Sequence, residues 1–291
     1  MKLSHSLLLL FLFLTASCSQ SPLKRLKELK SWGYQLQNYE LASPLSTVLK
    51  SPKRVWVLDP EFDKIGVSKD QIDEIYDLGG LPIAYLSIGE AENYRSYFKG
   101  LNKSLIVKEN PNWKGNFKVK FWEAEWQKII FNRIDDLMKL GFKGVYLDIV
   151  DAFYYFKDKK LRADEMVSFI RNIKKRGRSH DTDFIVIQQN APTLHQYTSM
   201  SEVLFSNVDA LALEDMFFFG DKLHDNAFLP QDYALKSAKL YIKKGKSVFN
   251  VEYLKDSKLI KKYKRALKGS GITPLVADRA LNGYLLFSEA L

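Results

Sequence analysis

The chain alternates between short runs of β-branched and aromatic residues and longer segments in which apolar residues recur every three or four positions. One unit shows this pattern clearly. Its helix has apolar residues at Trp126, Ile130, Ile134, Leu137 and Leu140, and its strand, 144–150, follows Gly141. A glycine suits the left-handed backbone at a helix C-terminus, and consecutive apolar residues are typical of a strand buried on both faces. The pattern predicts a helix–turn–strand unit of an α/β fold.

The same pattern predicts eight strands, at 32–37, 54–59, 82–90, 144–150, 183–190, 208–214, 246–253 and 271–277. Most of them are separated by predicted helices: Leu23–Lys30 comes before the first strand, and the others are a helix capped by Ser68, one from about Glu123, Ala163–Lys175 and one near Tyr233. Segment 91–120 shows no sustained period and is predicted to be a long loop over the site. Eight parallel strands with intervening helices predict an α/β fold of the (β/α)8 barrel type, formed by a single domain over residues 31–291.

The first residues have the pattern of an export signal. Lys2 precedes an apolar run from Leu7 to Leu14, which is too short for a permanent membrane span, and small residues lead to Cys18. Residues 1–17 are therefore predicted to be a signal peptide, Cys18 the lipidated residue of a bacterial lipoprotein, and residues 18–30 a linker with a short helix. Because Thr15 is unusual three positions before such a cysteine, an ordinary signal peptide is the alternative. Both interpretations predict an exported protein, and the first predicts a membrane anchor.

Composition argues against several kinds of site. Cys18 is the only cysteine among 291 residues, and the four histidines show no ligand spacing. The predicted domain therefore has neither an intrachain disulfide nor a thiolate metal site. Phosphate-loop and dinucleotide fingerprints are absent, since Gly79-Gly80 precedes a strand instead of following one. We expect no metal, no cofactor and a monomer.

The formal net charge is +10. A basic surface attracts polyanions and anionic lipid headgroups in general. The lysines, however, are dispersed in runs such as 157–160, 174–176 and 261–265, which are typical of solvated helix faces. The charge alone does not predict a nucleic-acid partner.

Polar and aromatic residues collect where the predicted strands end. In a barrel these ends meet at one rim, where barrel enzymes hold their active sites. Carboxylates, amides and flat rings together suit a sugar, because acids serve glycosidic chemistry, amides bind hydroxyls and rings pack on a pyranose face. Any single acid there can instead cap a helix or pair with a lysine. The candidates around Asp148 and Glu214 are Tyr34, Gln35, Asp59, Tyr85, Glu90, Trp122, Asp151, Gln189, Asn190 and Glu252.

Three motifs resemble glycoside hydrolase family 114: YLSIGEAE from Tyr85 with Tyr94-Arg95, GFKGVYLD from Gly141 with Asp151, and Gln189-Asn190. The resemblance covers nearly the whole predicted mature chain. It implies a TIM barrel, the activity of an endo-α-1,4-polygalactosaminidase and an exported galactosamine-containing polysaccharide as substrate. It also implies that the catalytic acids end strands four and six, which are Asp148 and Glu214. Asp215 competes with Glu214, and because neighbouring strand residues face opposite ways, only one of them can enter the site.

The leading hypothesis is a retaining glycosidase. Asp148 attacks the anomeric carbon, and Glu214, expected to have a raised pKa beside 217–219, protonates the leaving oxygen. Burial of Asp148 instead would reverse the two roles. A retaining pair holds its carboxyl groups roughly 5 to 5.5 Å apart, and we predict a separation near this range. Tyr34, Asp59, Glu90 and Gln189 are predicted to line the same cavity. The alternative is a surface-anchored lipoprotein that binds polysaccharide without cleaving it.

Overall fold

The structure is a computed structural model, which describes residues 20–37, 46–61, 67–282 and 285–287. The predicted signal peptide and Cys18 lie outside these ranges. In chain order the strands are β1 (Trp32–Gln35), β2 (Val55–Leu58), β3 (Leu81–Ser87), β4 (Glu90–Glu92), β5 (Ile106–Glu109), β6 (Asn116–Val119), β7 (Gly144–Asp148), β8 (Ile185–Gln189), β9 (Ala210–Glu214), β10 (Ser247–Glu252), β11 (Ile272–Ala277) and β12 (Leu285–Phe287).

The helices lie outside the sheet. In chain order they are α1 (Pro22–Glu28), α2 (Ser46–Lys50), α3 (Lys69–Asp77), α4 (Ala124–Lys139), α5 (Lys159–Arg178), α6 (Leu194–Tyr197), α7 (Ser201–Asn207), α8 (Asp232–Lys243) and α9 (Ser257–Leu267). Short 3₁₀ helices span Ser96–Gly100, Lys103–Leu105 and Val150–Tyr155.

Eight parallel strands form a nearly closed barrel in the order β1-β2-β3-β7-β8-β9-β10-β11. The edge strands β1 and β11 are joined through the chain that follows β11. There the Leu36 N–H donates to the Leu281 carbonyl at 2.8 Å, and β12 pairs antiparallel with β11. The predicted (β/α)8 barrel is confirmed.

Two buried clusters follow from the two faces of the strands. Alternate residues such as Val55 and Val57 fill the barrel interior, whereas Trp56 and Leu58 pack under the helices. Neighbouring strand residues point to opposite faces, so a strand buried on both sides is apolar at consecutive positions. This is the origin of the unbroken apolar runs in the sequence.

Local signals set the helix ends as predicted. The Ser68 hydroxyl accepts a hydrogen bond from the Gln71 N–H, and the Gln71 side chain accepts one from the Ser68 N–H, which is a capping box at α3. Gly141 ends α4 with a φ of 97°, in the left-handed region that favours glycine. Buried residues of α4 include Trp126 and Ile130, at the predicted spacing.

The prediction of a plain loop over 91–120 is wrong in part. This excursion contains two of the three strands of a small antiparallel sheet, in the order β4-β6-β5, and two of the 3₁₀ helices. These strands have only three or four residues, and β5 is largely exposed. A strand this short shows no sustained alternation, which explains why the sequence pattern did not reveal it.

The helix α1 closes the base of the barrel, the end at which the parallel strands begin. Leu26 belongs to the interior cluster together with Trp32. The Arg25 guanidinium donates to the carbonyls of Tyr76 and Gly80 at 2.6 and 2.7 Å, next to the start of β3. The chain therefore enters the barrel at its base, on the side opposite the strand C-termini.

Candidate active site

Alternation along the barrel strands decides which rim side chains enter the mouth. Residues two positions apart on a strand face the same side. The inward residues Val57, Tyr146, Ile187, Ala212 and Val251 are followed two positions later by Asp59, Asp148, Gln189, Glu214 and Tyr253. These five side chains therefore meet at the C-terminal mouth of the barrel.

Two adjoining cavities form a cleft across this mouth. The first, of about 480 Å³, contains Asp148 and Glu214. The second, of about 570 Å³, is lined by rings that include Phe219 and Tyr233. Asp151, Asn190 and Glu214 line both cavities, so the cleft continues on either side of Glu214. Of the predicted substrate-binding residues, the first cavity brings together Tyr34, Asp59, Tyr85, Asp151, Gln189 and Asn190.

Asp148 ends β7 and accepts hydrogen bonds on both carboxyl oxygens. Its Oδ2 accepts from the Tyr85 hydroxyl at 2.6 Å, and its Oδ1 accepts from the Ile149 N–H at 2.7 Å. Burial raises the pKa of Asp148 to about 7; the Tyr85 hydrogen bond opposes this shift, and the charge of Glu214 adds to it. Asp148 therefore changes its protonation state near neutral pH.

A raised pKa is expected on Glu214 beside the apolar rings at 217–219, whereas the structure shows a raised pKa on Asp148. Two of those rings, Phe217 and Phe218, pack against Phe228 and Tyr263 in the outer layer. The third ring, Phe219, lines the second cavity together with Glu214.

Glu214 ends β9 and is held by three side-chain donors. Its Oε2 accepts from the Gln189 amide at 2.6 Å and from the Asn190 amide at 3.1 Å, while the Tyr253 hydroxyl donates to Oε1. The Glu214 N–H in turn donates to the Asn190 Oδ1 at 3.1 Å. This network fixes the carboxyl group in the cleft, where it can meet a substrate oxygen.

The structure places Glu214 and Asp215 in different surroundings. Asp215 has a φ of 51°, and its two carboxyl oxygens accept from the Arg279 guanidinium at 2.8 and 3.0 Å. The Arg279 guanidinium also lies 3.9 Å from the centre of the Tyr253 ring. Asp215 is thus engaged in an ion pair and lines the second cavity, whereas Glu214 shares the first cavity with Asp148.

Strained backbone surrounds both acids. Ile149 and Asp215, directly after Asp148 and Glu214, have φ values of 57° and 51°, and Asn190 and Ala191 have 53° and 48°. Such left-handed residues cost on the order of 1–3 kcal/mol each and tend to cluster at functional sites. The surrounding structure must therefore hold these turns in place.

Gln188 holds the strained turn at Asn190 and Ala191. It is fully buried, and its Nε2 donates to the carbonyls of Asn190 and Ala191 at 2.9 and 3.0 Å. Its Oε1 accepts from the Tyr241 hydroxyl at 2.9 Å. Because Asn190 binds Glu214, Gln188 acts on Glu214 through this turn.

We expect Gln188→Met, which keeps the side-chain length, to lower the free energy of unfolding by roughly 2–4 kcal/mol, since it leaves buried carbonyls and a hydroxyl unpaired. Urea unfolding measures this effect. Tyr241→Phe, which removes only the hydroxyl, should cost less, about 1 kcal/mol. Equal stability of Gln188→Met and wild type would contradict the assigned support.

Arg95 forms ion pairs with two acids at one wall of the cleft. Its guanidinium donates to both oxygens of Asp59 at 2.6 and 2.8 Å and to Glu92 at 2.7 Å. All three side chains are buried, with exposures of 6% or less. Burial raises the pKa of Glu92, and Arg95 opposes that shift. Asp59 thus lines the cavity with its charge paired to a cation, as a structural acid at the rim would.

The structure places two of the predicted rim acids away from the cleft. Glu252 follows the inward Val251, so it faces outward; there it is fully buried and accepts from the N–H groups of Phe217 and Phe218 at 2.8 and 3.2 Å. Burial raises its pKa to about 8. Glu90 begins β4 instead of ending β3, and it accepts from the Asn110 amide at 3.0 Å. The prediction that Glu90 lines the cavity is wrong.

Gln35 and Trp122 also differ from their predicted positions. Gln35 neighbours the inward Tyr34 and faces the other way, so it does not line the first cavity, although its Nε2 donates to the Gln37 carbonyl at 3.1 Å. Trp122 lies outside the barrel mouth, with the Arg162 guanidinium 3.4 Å above its ring and Phe156 at its edge. Trp122 is therefore a packing residue rather than a sugar platform.

Glu92, Arg95 and Arg279 belong to the site, but the sequence pattern does not identify them as individual site residues. Glu92 and Arg95 were visible only as part of a motif, because the short strand β4 that aims Glu92 into the cavity gave no periodic signal. Arg279 follows the last barrel strand and lies 64 residues from its partner Asp215. No local pattern connects such a pair.

The described ranges contain no group of three or more histidine, cysteine, aspartate or glutamate side chains able to hold a metal ion. None of the helices within those ranges is long and apolar enough to cross a membrane. What the mouth offers is a pair of carboxyl groups within a cleft lined by rings and amides, on a barrel whose active sites lie at this end. This cleft is therefore the candidate active site of the (β/α)8 barrel.

The comparison with known families agrees: the chain belongs to glycoside-hydrolase family GH114, whose sequence profile matches residues 14–290. An uncharacterised protein of Deinococcus radiodurans is 32% identical over 266 residues, which are 90% of this chain and 84% of that protein. The protein is therefore a glycoside hydrolase by family.

Two solved structures are similar in fold. The glycoside hydrolase domain of PelA from Pseudomonas aeruginosa aligns with a TM-score of 0.71 and 17% identity, covering 90% of this chain and 99% of that one. Ega3 from Aspergillus fumigatus, solved in complex with galactosamine, aligns with a TM-score of 0.67 and 17% identity, covering 94% and 98%. At this identity the similarity shows the barrel fold.

Proposed function

We propose that this protein is an exported, retaining endo-glycosidase that cleaves a galactosamine-containing polysaccharide. The observation that carries the proposal is the placement of Asp148 and Glu214 in one cavity of a cleft that continues past Glu214 on both sides. A chain running through such a cleft is cut internally. The family membership and the galactosamine complex of Ega3 support the choice of substrate class.

In the proposed reaction, Asp148 attacks the anomeric carbon while Glu214 donates a proton to the leaving oxygen. Glu214 then takes a proton from water, which attacks the glycosyl–Asp148 ester and releases the sugar with retained configuration. The Tyr85 hydroxyl and the Ile149 N–H stabilise the Asp148 carboxylate. Gln189, Asn190 and Tyr253 fix the position of Glu214.

The acidic lining suits a cationic sugar. Five carboxyl groups, Asp59, Glu92, Asp148, Asp151 and Glu214, line the first cavity together with the cations Lys114 and Arg279. Arg95 pairs with Asp59 and Glu92, which leaves five acids against three cations. The ammonium group of a deacetylated hexosamine would be attracted to this excess of negative charge. The rim charge thus favours such a substrate despite the basic net charge of the whole chain.

The test of hydrolysis is a reducing-end assay on hexosamine polymers, run beside a glycan pull-down with the same protein. We expect both binding and new reducing ends. Binding without any new reducing end would favour the alternative of a non-catalytic polysaccharide-binding lipoprotein.

The raised pKa of Asp148 gives an expected pH profile. A nucleophile must be ionised, and a pKa of about 7 means that ionisation is incomplete below neutral pH. We therefore expect kcat/KM, which reports the free enzyme, to rise with pH through about 7. The Tyr85→Phe variant loses the hydroxyl that donates to the Asp148 carboxylate, so this rising limb of the pH profile should move to higher pH by roughly one unit. An unchanged limb in Tyr85→Phe would contradict Asp148 as its source.

The rings of the second cavity predict a dependence on chain length. Phe219 and Tyr233 are half exposed and line this cavity. Losing either ring should raise KM for long oligomers roughly fivefold to tenfold, about 1–1.4 kcal/mol of apolar contact, with little effect on short ones. The measurement compares Phe219→Ala and Tyr233→Ala on graded oligomers, with Leu223→Ala, exposed but outside both cavities, as control. Equal KM changes for short and long oligomers would contradict an extended cleft.

We also propose that the protein is exported as a lipoprotein attached through Cys18 and acts as a monomer, without nucleic acid. The apolar segment before Cys18 supports the anchor, and the presence of the whole cleft within one chain supports the monomer. Fractionation tests the anchor, since Cys18→Ala should move the protein from the membrane fraction to the soluble one. An unchanged distribution between the fractions would favour an ordinary signal peptide over a lipoprotein signal.

A further inference from the structure

The base of the barrel carries a cluster of cations that the proposed reaction does not use. Lys27 in α1, Lys30 just after it and Lys246 before β10 line a cavity of about 190 Å³ at the amino ends of β10 and β11. Lys30 also lines an adjoining cavity of about 140 Å³. We call these three lysines the basal cluster.

The positive charges in and beside the basal cluster repel one another. Burial lowers the pKa of Lys246, and the charges of Lys27 and Arg178 lower it further, while Asp209 opposes them. In the part of the chain that the structure describes, Lys27, Lys246 and Arg178 have no ion pair, and Asp209 is paired with Lys174. A bound anion would relieve this repulsion.

Other charges of the base do not neutralise the cluster. Glu28 pairs with Lys24 at 3.8 Å. Asp181 and Asp183 lie near Tyr76, whose ring is also contacted by Arg25 and Lys143. Asp181 and Asp183 therefore lie near the cations Arg25 and Lys143, which balance their charge. The face beside β10 and β11 stays cationic, whereas the cleft at the opposite end of the barrel is acidic.

We propose that the basal cluster is a docking surface for the headgroups of anionic lipids, which orients the barrel with its cleft away from the membrane. The chain enters the barrel at this face, and Cys18 precedes the first residue of α1, Pro22, by four positions. Lys27 and Lys30 follow Cys18 by nine and twelve positions, so a lipid at Cys18 would keep the base of the barrel near the bilayer surface. Each lysine near an anionic bilayer strengthens binding roughly fivefold.

The orientation has a consequence for the enzyme. An anionic surface attracts the base and repels the acidic cleft, so the cleft stays open to a polymer outside the membrane. The proposal concerns a surface remote from Asp148 and Glu214, so it does not depend on the proposed hydrolysis, but its orientation of the barrel rests on the proposed lipid anchor at Cys18.

The experiment uses residues 19–291, which are the mature polypeptide without the lipidated cysteine and contain both buried clusters, formed from residues 26–277. Co-sedimentation compares vesicles of phosphatidylcholine with equimolar phosphatidylcholine and phosphatidylglycerol. We expect binding to the anionic vesicles alone, weakening as salt is raised. The triple variant Lys27→Gln, Lys30→Gln, Lys246→Gln should bind them roughly tenfold to a hundredfold more weakly.

The matched control removes three exposed lysines from the mouth-side halves of the outer helices. It is the triple variant Lys128→Gln, Lys236→Gln, Lys261→Gln, which makes the same change in net charge. This control should keep nearly all vesicle binding, and both triple variants should keep their thermal stability. Equal losses in the two variants would show a general charge effect and overturn the docking site.

Two further arms test the assignment to lipid. If millimolar inorganic phosphate at constant ionic strength abolishes vesicle binding, the cluster is a site for free anions and the lipid assignment is overturned. If the basal variant loses affinity for duplex DNA as strongly as for anionic vesicles, the surface binds polyanions in general, which also overturns it. Vesicle binding that persists in phosphate, with DNA affinity equal in both triple variants, supports the proposal.

Discussion

Replacing Asp148 with Asn or Glu214 with Gln is expected to lower kcat/KM on the true substrate at least about a thousandfold. In the proposed reaction, Asp148→Asn removes the nucleophilic oxygen, and Glu214→Gln removes the proton needed by the leaving group. Both replacements are nearly isosteric, so the folded structure should persist. The measurement is the initial rate of reducing-end release, with the circular dichroism spectrum as a check on folding.

The matched control for this pair is Asp221→Asn, which changes an exposed carboxylate outside both cavities. It should hydrolyse the substrate at the wild-type rate. If either active-site variant kept near-wild-type hydrolysis, the named pair would be wrong. Loss of activity in the control as well would point to a general charge effect on the substrate instead.

Replacing Arg95 with Met is expected to lower the free energy of unfolding by about 3–5 kcal/mol, because it leaves the buried Asp59 and Glu92 carboxylates without their cation. Urea unfolding measures this loss. The pKa of Glu92 is already raised by burial, and without Arg95 it should rise further. Protonation removes the unpaired charge, so the destabilisation should be smaller at pH 4 than at pH 7.

The surface ion pair between Arg176 and Asp135 provides the control. Arg176 is about half exposed, and pairs of this kind contribute roughly 0–1 kcal/mol because water screens them. Arg176→Met should therefore change stability little. Similar losses in Arg95→Met and Arg176→Met would show that burial of the Asp59–Arg95–Glu92 cluster is not what makes it strong.

The sequence predicts the barrel well because each of its strands is apolar on both faces and each helix on one. It predicts the ends of the elements less well for physical reasons. The apolar run continues past Asp148 to Val150, yet β7 ends at Asp148, as the family resemblance implies, since Ile149 adopts a left-handed φ of 57°. A β-branched residue in this conformation is not foreseeable from its own propensity.

The candidate site shows a second limit. Glu214 and Glu252 both end buried strands, and nothing in their local sequence says that one faces inward and the other outward. The direction follows from the register of the barrel, which places Ala212 and Val251 on the inner side. Knowledge of one inward residue per strand would have separated them. The partners of Arg95 and Arg279 lie in other parts of the chain and needed the fold.

The central claim is that the cleft hydrolyses a glycosidic bond of an amino-sugar polymer. The most direct measurement is mass spectrometry of the products formed from partly deacetylated poly-N-acetylgalactosamine in water enriched in oxygen-18. Hydrolysis predicts short internal oligomers that each carry one heavy oxygen at the new reducing end. The Asp148→Asn variant should form no such oligomers. Unchanged polymer, products without the heavy oxygen, or the same products from Asp148→Asn would contradict the claim.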